Sequence, residues 1–202
     1  MALKAVFFDV GETLVDESRA WTALADAAGV PPLTLFGVLG GLIERRDGHR
    51  HVFEVLGVEA PEWPGYELDD LYPDALPCLQ ALRRDGYLLG LAGNQPESCE
   101  DFLRRARVDV DVIASSASWG VEKPSPEFFA RVAREAGCEP GETAYVGDRV
   151  DNDVVPAAEA GMVAVFVRRG PWGHLQADWP DAERADLRLD SLAELPEALR
   201  HV

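Results

Sequence analysis

Cysteine is scarce in this sequence. Its three cysteines, Cys78, Cys99 and Cys138, lie far apart and form no C-x-x-C pair. An odd number at such spacing argues against a disulfide framework or a thiolate zinc site and fits reduced thiols in a cytosol. Long apolar runs are also missing. No stretch reaches the ~18 residues that span a bilayer, and the longest apolar region, residues 30–43, is broken by Thr34 and by glycines and prolines. The chain enters a strand within a few residues of its start, without a leader pattern. A soluble, cytoplasmic protein is expected. Positive charge is short as well, with 19 Lys and Arg against 36 Asp and Glu, a formal net charge of −17. Such a surface repels nucleic acid and anionic membranes, so neither is an expected partner. It leaves an anionic small molecule open, because a bound divalent cation and one lysine can invert the field inside a cleft.

What is present is enough for a core: 202 residues, 47% of them hydrophobic, sized for one domain or one domain with an insertion. Residues 4–9, KAVFFD, form a short β-rich apolar run that ends in a carboxylate and reads as a buried strand. Further strands are expected at 87–92, 110–114, 143–146, 163–167 and 187–189. Helical patterns separate them at 75–84, 96–107, 126–136, 153–160 and 192–200. The 126–136 segment has clear punctuation, with Ser125-Pro126-Glu127 at its start and Gly137 at its end. Strands alternating with helices imply an α/β fold, a doubly wound parallel sheet with helices on both faces. Residues 16–72 break the alternation. They carry helical patterns at 17–28, 33–46 and 49–56, then a Pro- and Trp-containing stretch at 59–66. The expected organisation is an α/β core from residues 1–15 and 73–202 with a helical insertion at 16–72.

In open α/β sheets ligands bind at the carboxyl ends of the strands. The residues there are Asp9 to Thr13, Gly93-Asn94, Ser115-Ser116 and Gly147-Asp148. Asp9, Asp148 and Asp153 can face one cleft. Three carboxylates at one point repel each other unless a hard cation such as Mg²⁺ joins them. One of them can then act as a nucleophile on phosphorus. Lys123, in Glu122-Lys123-Pro124, can pair with that nucleophile and with a phosphate. Helix N-termini after Asn94 and at Asp153 would add positive dipole ends.

Three segments carry a resemblance. Phe8-Asp9-Val10-Gly11-Glu12-Thr13-Leu14 resembles the first motif, D-x-D-x-T, of the haloacid dehalogenase (HAD) superfamily. Val121 to Phe128 resembles its lysine motif, and Gly147-Asp148 through Asn152-Asp153 its last acidic motif, G-D-x-x-x-x-D. The order and spacing agree over nearly the whole chain, and the insertion resembles a small helical cap of the family's first type. The resemblance implies a HAD-like Rossmannoid fold and a Mg²⁺-dependent hydrolase, a phosphatase on a small phosphomonoester. It further implies that Asp9 forms an aspartyl-phosphate, that Lys123 orients nucleophile and phosphate, and that Thr13 steadies the motif-one turn. Asp9, the Gly11 carbonyl and Asp148 would ligate the metal, with Asp153 supporting or completing its shell. Gly93 and Asn94 would face the phosphate. A monomer or homodimer is equally compatible.

Two departures stand out. Gly11 occupies the place of the family's general acid/base Asp, and Gly93 the place of its phosphate-binding Ser or Thr. General acid/base help is worth ~10²–10⁴-fold, so impaired turnover, or a silent HAD-fold binding or regulatory protein, is the rival reading. Gly11→Asp is expected to restore the acid. Glu12 is read as an exposed turn residue rather than a substitute acid. Asn94 is equally an N-cap before Pro96 or a ligand contact. Arg45, Arg46, His49, Arg50 and His51 form the one dense basic cluster, read as a solvated helix end in preference to a substrate-selecting surface. Trp172 is read as packing a turn in preference to edging the cleft. A 2-haloacid dehalogenase is a third possibility, opposed by Gly147-Asp148.

Overall fold

The structure is a computed structural model and describes residues 2–202. Six strands, β1 (Ala5–Phe8), β2 (Leu88–Gly93), β3 (Val112–Ser115), β4 (Thr143–Gly147), β5 (Val163–Val167) and β6 (Leu187–Leu189), form one parallel sheet in the order β3-β2-β1-β4-β5-β6. Among the described residues the α-helices are α1 (Ser18–Ala27), α2 (Pro32–Glu44), α3 (Val52–Val55), α4 (Ala75–Arg84), α5 (Glu97–Arg105), α6 (Ser116–Trp119), α7 (Pro126–Ala136), α8 (Val155–Glu159), α9 (Gly170–Gln176) and α10 (Leu195–Ala198).

The strands are short and apolar because both faces of the sheet are covered. Side chains alternate across the sheet, so Val6 and Phe8 enter one core layer while Ala5 and Phe7 enter the other. Residues 144–146 and 164–167 divide the same way. Helices α4, α5 and α10 supply the first layer, and α7 and α8 the second. Helix α7 follows its sequence signals. Ser125 Oγ accepts from the Glu127 amide, Pro126 starts the helix, and Gly137 ends it with φ 65°. Its apolar face, Phe128, Phe129, Val132 and Ala136, is buried.

The expected strands are all present, those at 163–167 and 187–189 with the expected bounds and the others displaced by a residue or two at their ends. The expected helix at 153–160 is not one helix. A π-helical turn at Val150–Val154 precedes α8. Pro156 has no N–H to give to the carbonyl of residue 152, so a regular helix cannot run through that point. Asp153 therefore sits inside the turn, not at a helix N-terminus.

Between β1 and β2, helices α1, α2 and α3 bury a separate cluster that includes Trp21, Leu24, Leu35, Leu39, Leu42, Val52 and Phe53, joined from α9 by Trp172. The pattern expected at 49–56 resolves into a 3-10 turn, His49–His51, followed by the four residues of α3. Among the described residues no single helix is long and apolar enough to cross a membrane.

Candidate active site

Strands β1 and β4 are hydrogen-bonded neighbours, with Phe8 opposite Val146. The Asp9 amide continues the ladder by donating to the Val146 carbonyl at 2.9 Å. The residues that leave the two strands, Asp9 and Gly147-Asp148, therefore emerge side by side. This is also where the strand order turns back, β2 and β3 lying on one side and β4 to β6 on the other, the switch point at which open α/β sheets bind ligands. The turn after β4 returns Asp153 to the same place. Asp9, Asp148 and Asp153 are all buried, and each offers an oxygen within 4.8 Å of the others.

Lys123 enters from the loop before α7. Its Nζ lies 2.8 Å from Asp9 Oδ1 and 2.6 Å from Asp153 Oδ1. The Asn94 side chain holds that loop, donating from Nδ2 to the Lys123 carbonyl and accepting at Oδ1 from the Lys123 amide, both at 2.8 Å. The N-cap of α5 is Pro96, so Asn94 is not the helix cap that was one of its two readings. Burial alone would lower the lysine pKa, but Asp153 and Asp9 outweigh it and hold it well above its ordinary value. Burial, then Asp153 and Asp9, push the Asp148 carboxyl well above the usual carboxylate range. Burial lifts Asp153 to about 6 despite Lys123. Both Asp153 oxygens are engaged, Oδ1 by Lys123 and Oδ2 by the Arg149 amide at 3.0 Å.

Among the described residues two buried carboxylate oxygens have no hydrogen-bond donor: Asp148 Oδ2, and Asp9 Oδ1, which is held by Lys123 only as an ion pair. An unmatched buried acceptor is costly. The surplus of negative charge, the all-oxygen donor set and the orphaned oxygens fit a hard divalent cation such as Mg²⁺.

The motif-one turn is tightly built. Thr13 is fully buried, its hydroxyl 3.5 Å from Asp148 Oδ1. Glu12 is only 4% exposed, contrary to the expectation of an exposed turn residue. Its φ of 52° turns the side chain inward, where it accepts from Tyr72 Oη at 2.7 Å and from the Glu17 amide at 3.1 Å. Burial, reinforced by Glu17, raises its pKa from 4.5 to about 7. The space beside Gly11 is not empty. A Cβ there would fall on Glu17 Oε1, with Glu17 Cδ at 3.0 Å and Gln95 Nε2 at 3.2 Å. Glu17 is held by Tyr66 Oη on one oxygen and by Trp21 Nε1, at 3.1 Å, on the other. Burial raises its pKa; the two donors lower it and Asp9 raises it further. Gly11→Asp alone is therefore not a simple restoration, because a second carboxylate already fills the site. At Gly93 an added Cβ would meet Asp9 Oδ1, so a side chain there would require the Asp9 carboxylate to move.

Of these groups, Asp9, Gly11, Glu12, Glu17, Asn94, Lys123 and Asp148 form the floor of one cavity of about 430 Å³. Its opposite wall carries Trp21, Leu24, His49, Phe53 and Trp63 from the helical segment and Trp172 from α9. Trp172 lines the cleft, contrary to its reading as a turn-packing residue only. The basic cluster is divided. His49 and Arg50 line the cavity, while the Arg46 guanidinium stacks 4.1 Å from the Trp179 ring centroid and pairs with Asp181 at 3.2 Å.

Comparison with known proteins decides the family. The sequence model of the haloacid dehalogenase-like hydrolases matches residues 3–161. The chain belongs to that family. It is 36% identical over 134 residues to a glyceraldehyde 3-phosphate phosphatase of Methanopyrus kandleri, a match covering 65% of this chain and 57% of the relative. The chain thus spans less than two thirds of that relative's length. A match of 36% over 137 residues to a Thermus thermophilus phosphoserine phosphatase covers 64% and 52%. Among solved structures, a HAD phosphatase from Thermococcus onnurineus superposes with a TM-score of 0.64 at 26% identity, covering 98% of each chain. An L-2-haloacid dehalogenase from Xanthobacter autotrophicus reaches 0.74 at 22% identity and shares the fold.

In this haloacid dehalogenase-like hydrolase the motif residues converge, but several groups around them were not singled out from the sequence. Arg169 donates to the Thr13 carbonyl at 2.9 Å, pairs with Asp74 at 2.6 Å and stacks on Tyr72, so it ties the motif-one turn to the start of α4. The strand-end rule applied to β5 would have found it. Glu17 and Tyr66 carry no such signal, since only the packing of the helical segment against the floor brings Glu17 beside Gly11 and Tyr66 onto Glu17.

Proposed function

We propose that the chain is a Mg²⁺-dependent phosphatase of small phosphomonoesters that works through an aspartyl-phosphate on Asp9. The observation that carries this is the cluster of Asp9, Asp148 and Asp153, with Lys123 paired to Asp9 and Asp153 and two buried oxygens left without donors. A Mg²⁺ held by Asp9, the Gly11 carbonyl and Asp148 would offset the charge of these carboxylates and of the phosphate oxygens. Asp153 supports the set by fixing Lys123. Asp9 attacks phosphorus and the bond to the leaving oxygen breaks. Lys123 offsets charge on the transferred group, beside the backbone of Gly93 and Asn94. The proton for the leaving oxygen comes from Glu17, whose carboxyl occupies the volume that a side chain on Gly11 would fill. Water then attacks phosphorus, gives its proton to Glu17 and releases phosphate from Asp9. Glu12, tied to Tyr72 and to the start of α1, positions that helix.

The helical segment at 16–72 acts as the cap of this site. The test is phosphate release from a panel of phosphomonoesters by the intact chain, with Mg²⁺ and with chelator. Release that needs Mg²⁺ and disappears in Asp9→Asn supports the proposal. A folded wild-type protein that binds Mg²⁺ and releases nothing identifies the silent binding protein instead. Halide release from a 2-haloacid in the presence of chelator would make it a dehalogenase.

A further inference from the structure

The cavity has two unlike halves. Its floor is charged and engaged: Lys123 lies between Asp9 and Asp153, and Arg149 is bound twice by Asp151, at 3.1 and 2.8 Å. Its wall is an arc of rings in edge contact. Trp63 and Trp21 lie 6.2 Å apart, Trp21 and His49 6.1 Å, and His49 and Trp172 5.4 Å; Tyr66, outside the lining, packs 5.6 Å from Trp63. Phe53, Leu24 and Pro61 fill the gaps. Burial, with Arg149 and Arg50 nearby, lowers the His49 pKa to about 4, so its ring is neutral and behaves as part of the arc. Among the described residues, those that the helical segment gives to the cavity include no hydroxyl and no amide side chain. The Trp21 N–H is already spent on Glu17.

Each class of leaving group meets this wall differently. A polyhydroxylated one finds few partners on the wall, since the amide side chains that line the cavity, Asn94, Gln95 and Asn152, come from outside the helical segment, and hydroxyls against the wall would be buried unmatched. A carboxylated one faces Glu17 and Glu12, and of the two arginines lining the cavity Arg149 is already paired with Asp151, which leaves Arg50 alone to receive it. A quaternary or primary amine suits aromatic faces, but Arg149 and Arg50 open on the same cavity and repel it. A flat apolar group meets ring faces and edges with nothing to desolvate. We infer that the preferred substrates are phosphomonoesters with a flat, apolar leaving group, held against the arc of Trp21, Trp63 and Trp172 while the phosphate lies at Asp9. This rests on the phosphatase reading for the position of the phosphate, and the ring arc alone sets the preference.

Unhydrolysable phosphonates test it apart from turnover. The intact chain with Mg²⁺ is titrated calorimetrically with benzylphosphonate, 3-hydroxypropylphosphonate and 2-(trimethylammonio)ethylphosphonate. Benzylphosphonate is expected to bind tightest, by about tenfold or more. Trp63→Leu should reduce that preference severalfold; if this variant melts early, the wild-type ranking decides alone. In parallel, KM is compared for benzyl phosphate and glycerol 3-phosphate, both with alkoxide leaving groups of similar reactivity. Equal affinities, no binding of any phosphonate, or tighter binding of the hydroxylated or cationic phosphonate overturns the inference. Turnover of glycerol 3-phosphate with no benzyl preference overturns it while the phosphatase reading stands. Benzylphosphonate selectivity without turnover of any ester keeps the aromatic preference and removes the phosphatase.

Discussion

The floor and the wall of the cavity are built by different physics. The floor is made by strand register. Asp9 and Asp148 meet because β1 pairs with β4, and no freedom remains once the sheet forms. Its charges are fixed, buried and partly unmatched, a state that costs stability. The wall is made by side-chain packing between short helices, and its rings contribute to stability through burial. The floor holds its geometry for chemistry at an expense in stability; the wall is stabilising and free to set selectivity. Substitutions in the floor should accordingly separate activity from stability, whereas substitutions in the wall should move binding and stability together.

The largest expected effect breaks the floor chemically without unfolding it. Asp9→Asn should lower phosphate release by about 10⁴-fold or more while circular dichroism remains native. Mass spectrometry of acid-quenched wild type, but not of the variant, should show one added phosphoryl group. Residual turnover at wild-type level would move the chemistry to another residue.

Glu17 comes next. Glu17→Gln should slow an alkyl phosphate by ~10²–10⁴-fold and an activated aryl phosphate far less, because a good leaving group needs no proton. Gly11→Asp alone should give no gain, since Glu17 occupies its space. Gly11→Asp combined with Glu17→Ala should recover much of the loss. Faster turnover in the single Gly11→Asp variant would show that Glu17 is not the acid.

The unmatched charge of the floor should be visible in pH dependence. A raised carboxyl pKa means that the folded chain keeps a proton the unfolded chain has released. Stability is then present at low pH and lost as pH rises from the unfolded value to the folded one. For Asp153 the loss runs from about 4 to 6, and for Glu12 from 4.5 to about 7. The melting temperature without metal should fall across this range, and Mg²⁺ should reduce the fall. Asp148→Asn should raise the metal-free melting temperature at pH 7 and abolish most of the increase that Mg²⁺ produces. An unchanged Mg²⁺ response in Asp148→Asn would remove it from the metal site.

The smallest effect lies at the edge of the wall. Arg46→Ala removes an exposed pair and a guanidinium stacked on Trp179, together worth about 1 kcal/mol. The melting temperature should drop by a few degrees with KM unchanged. A large change in KM would mean that the basic end of α2 belongs to the substrate surface after all.

Much of this was legible in the sequence, and the reason is local. The strands are apolar runs, and the residues after them, Asp9, Gly93-Asn94 and Asp148, are placed by chain connectivity alone. The helix at 126–136 announces itself by Ser125, Pro126 and Gly137. Where the sequence misled, the deciding contacts were distant. Glu12 looks exposed in a turn, but φ 52° and Tyr72, sixty residues on, turn it inward. Trp172 looks like turn packing until α9 docks against α2 and brings it to Trp21. Nor can periodicity say that Glu17, six residues after Gly11, comes back to the same point. By itself the sequence determined the sheet, the carboxylates at its strand ends and the lysine that pairs with them, because period and connectivity act over a few residues. The tertiary structure alone decided what stands beside Gly11 and what lines the wall, because those positions depend on how α1 and α9 pack across the cleft.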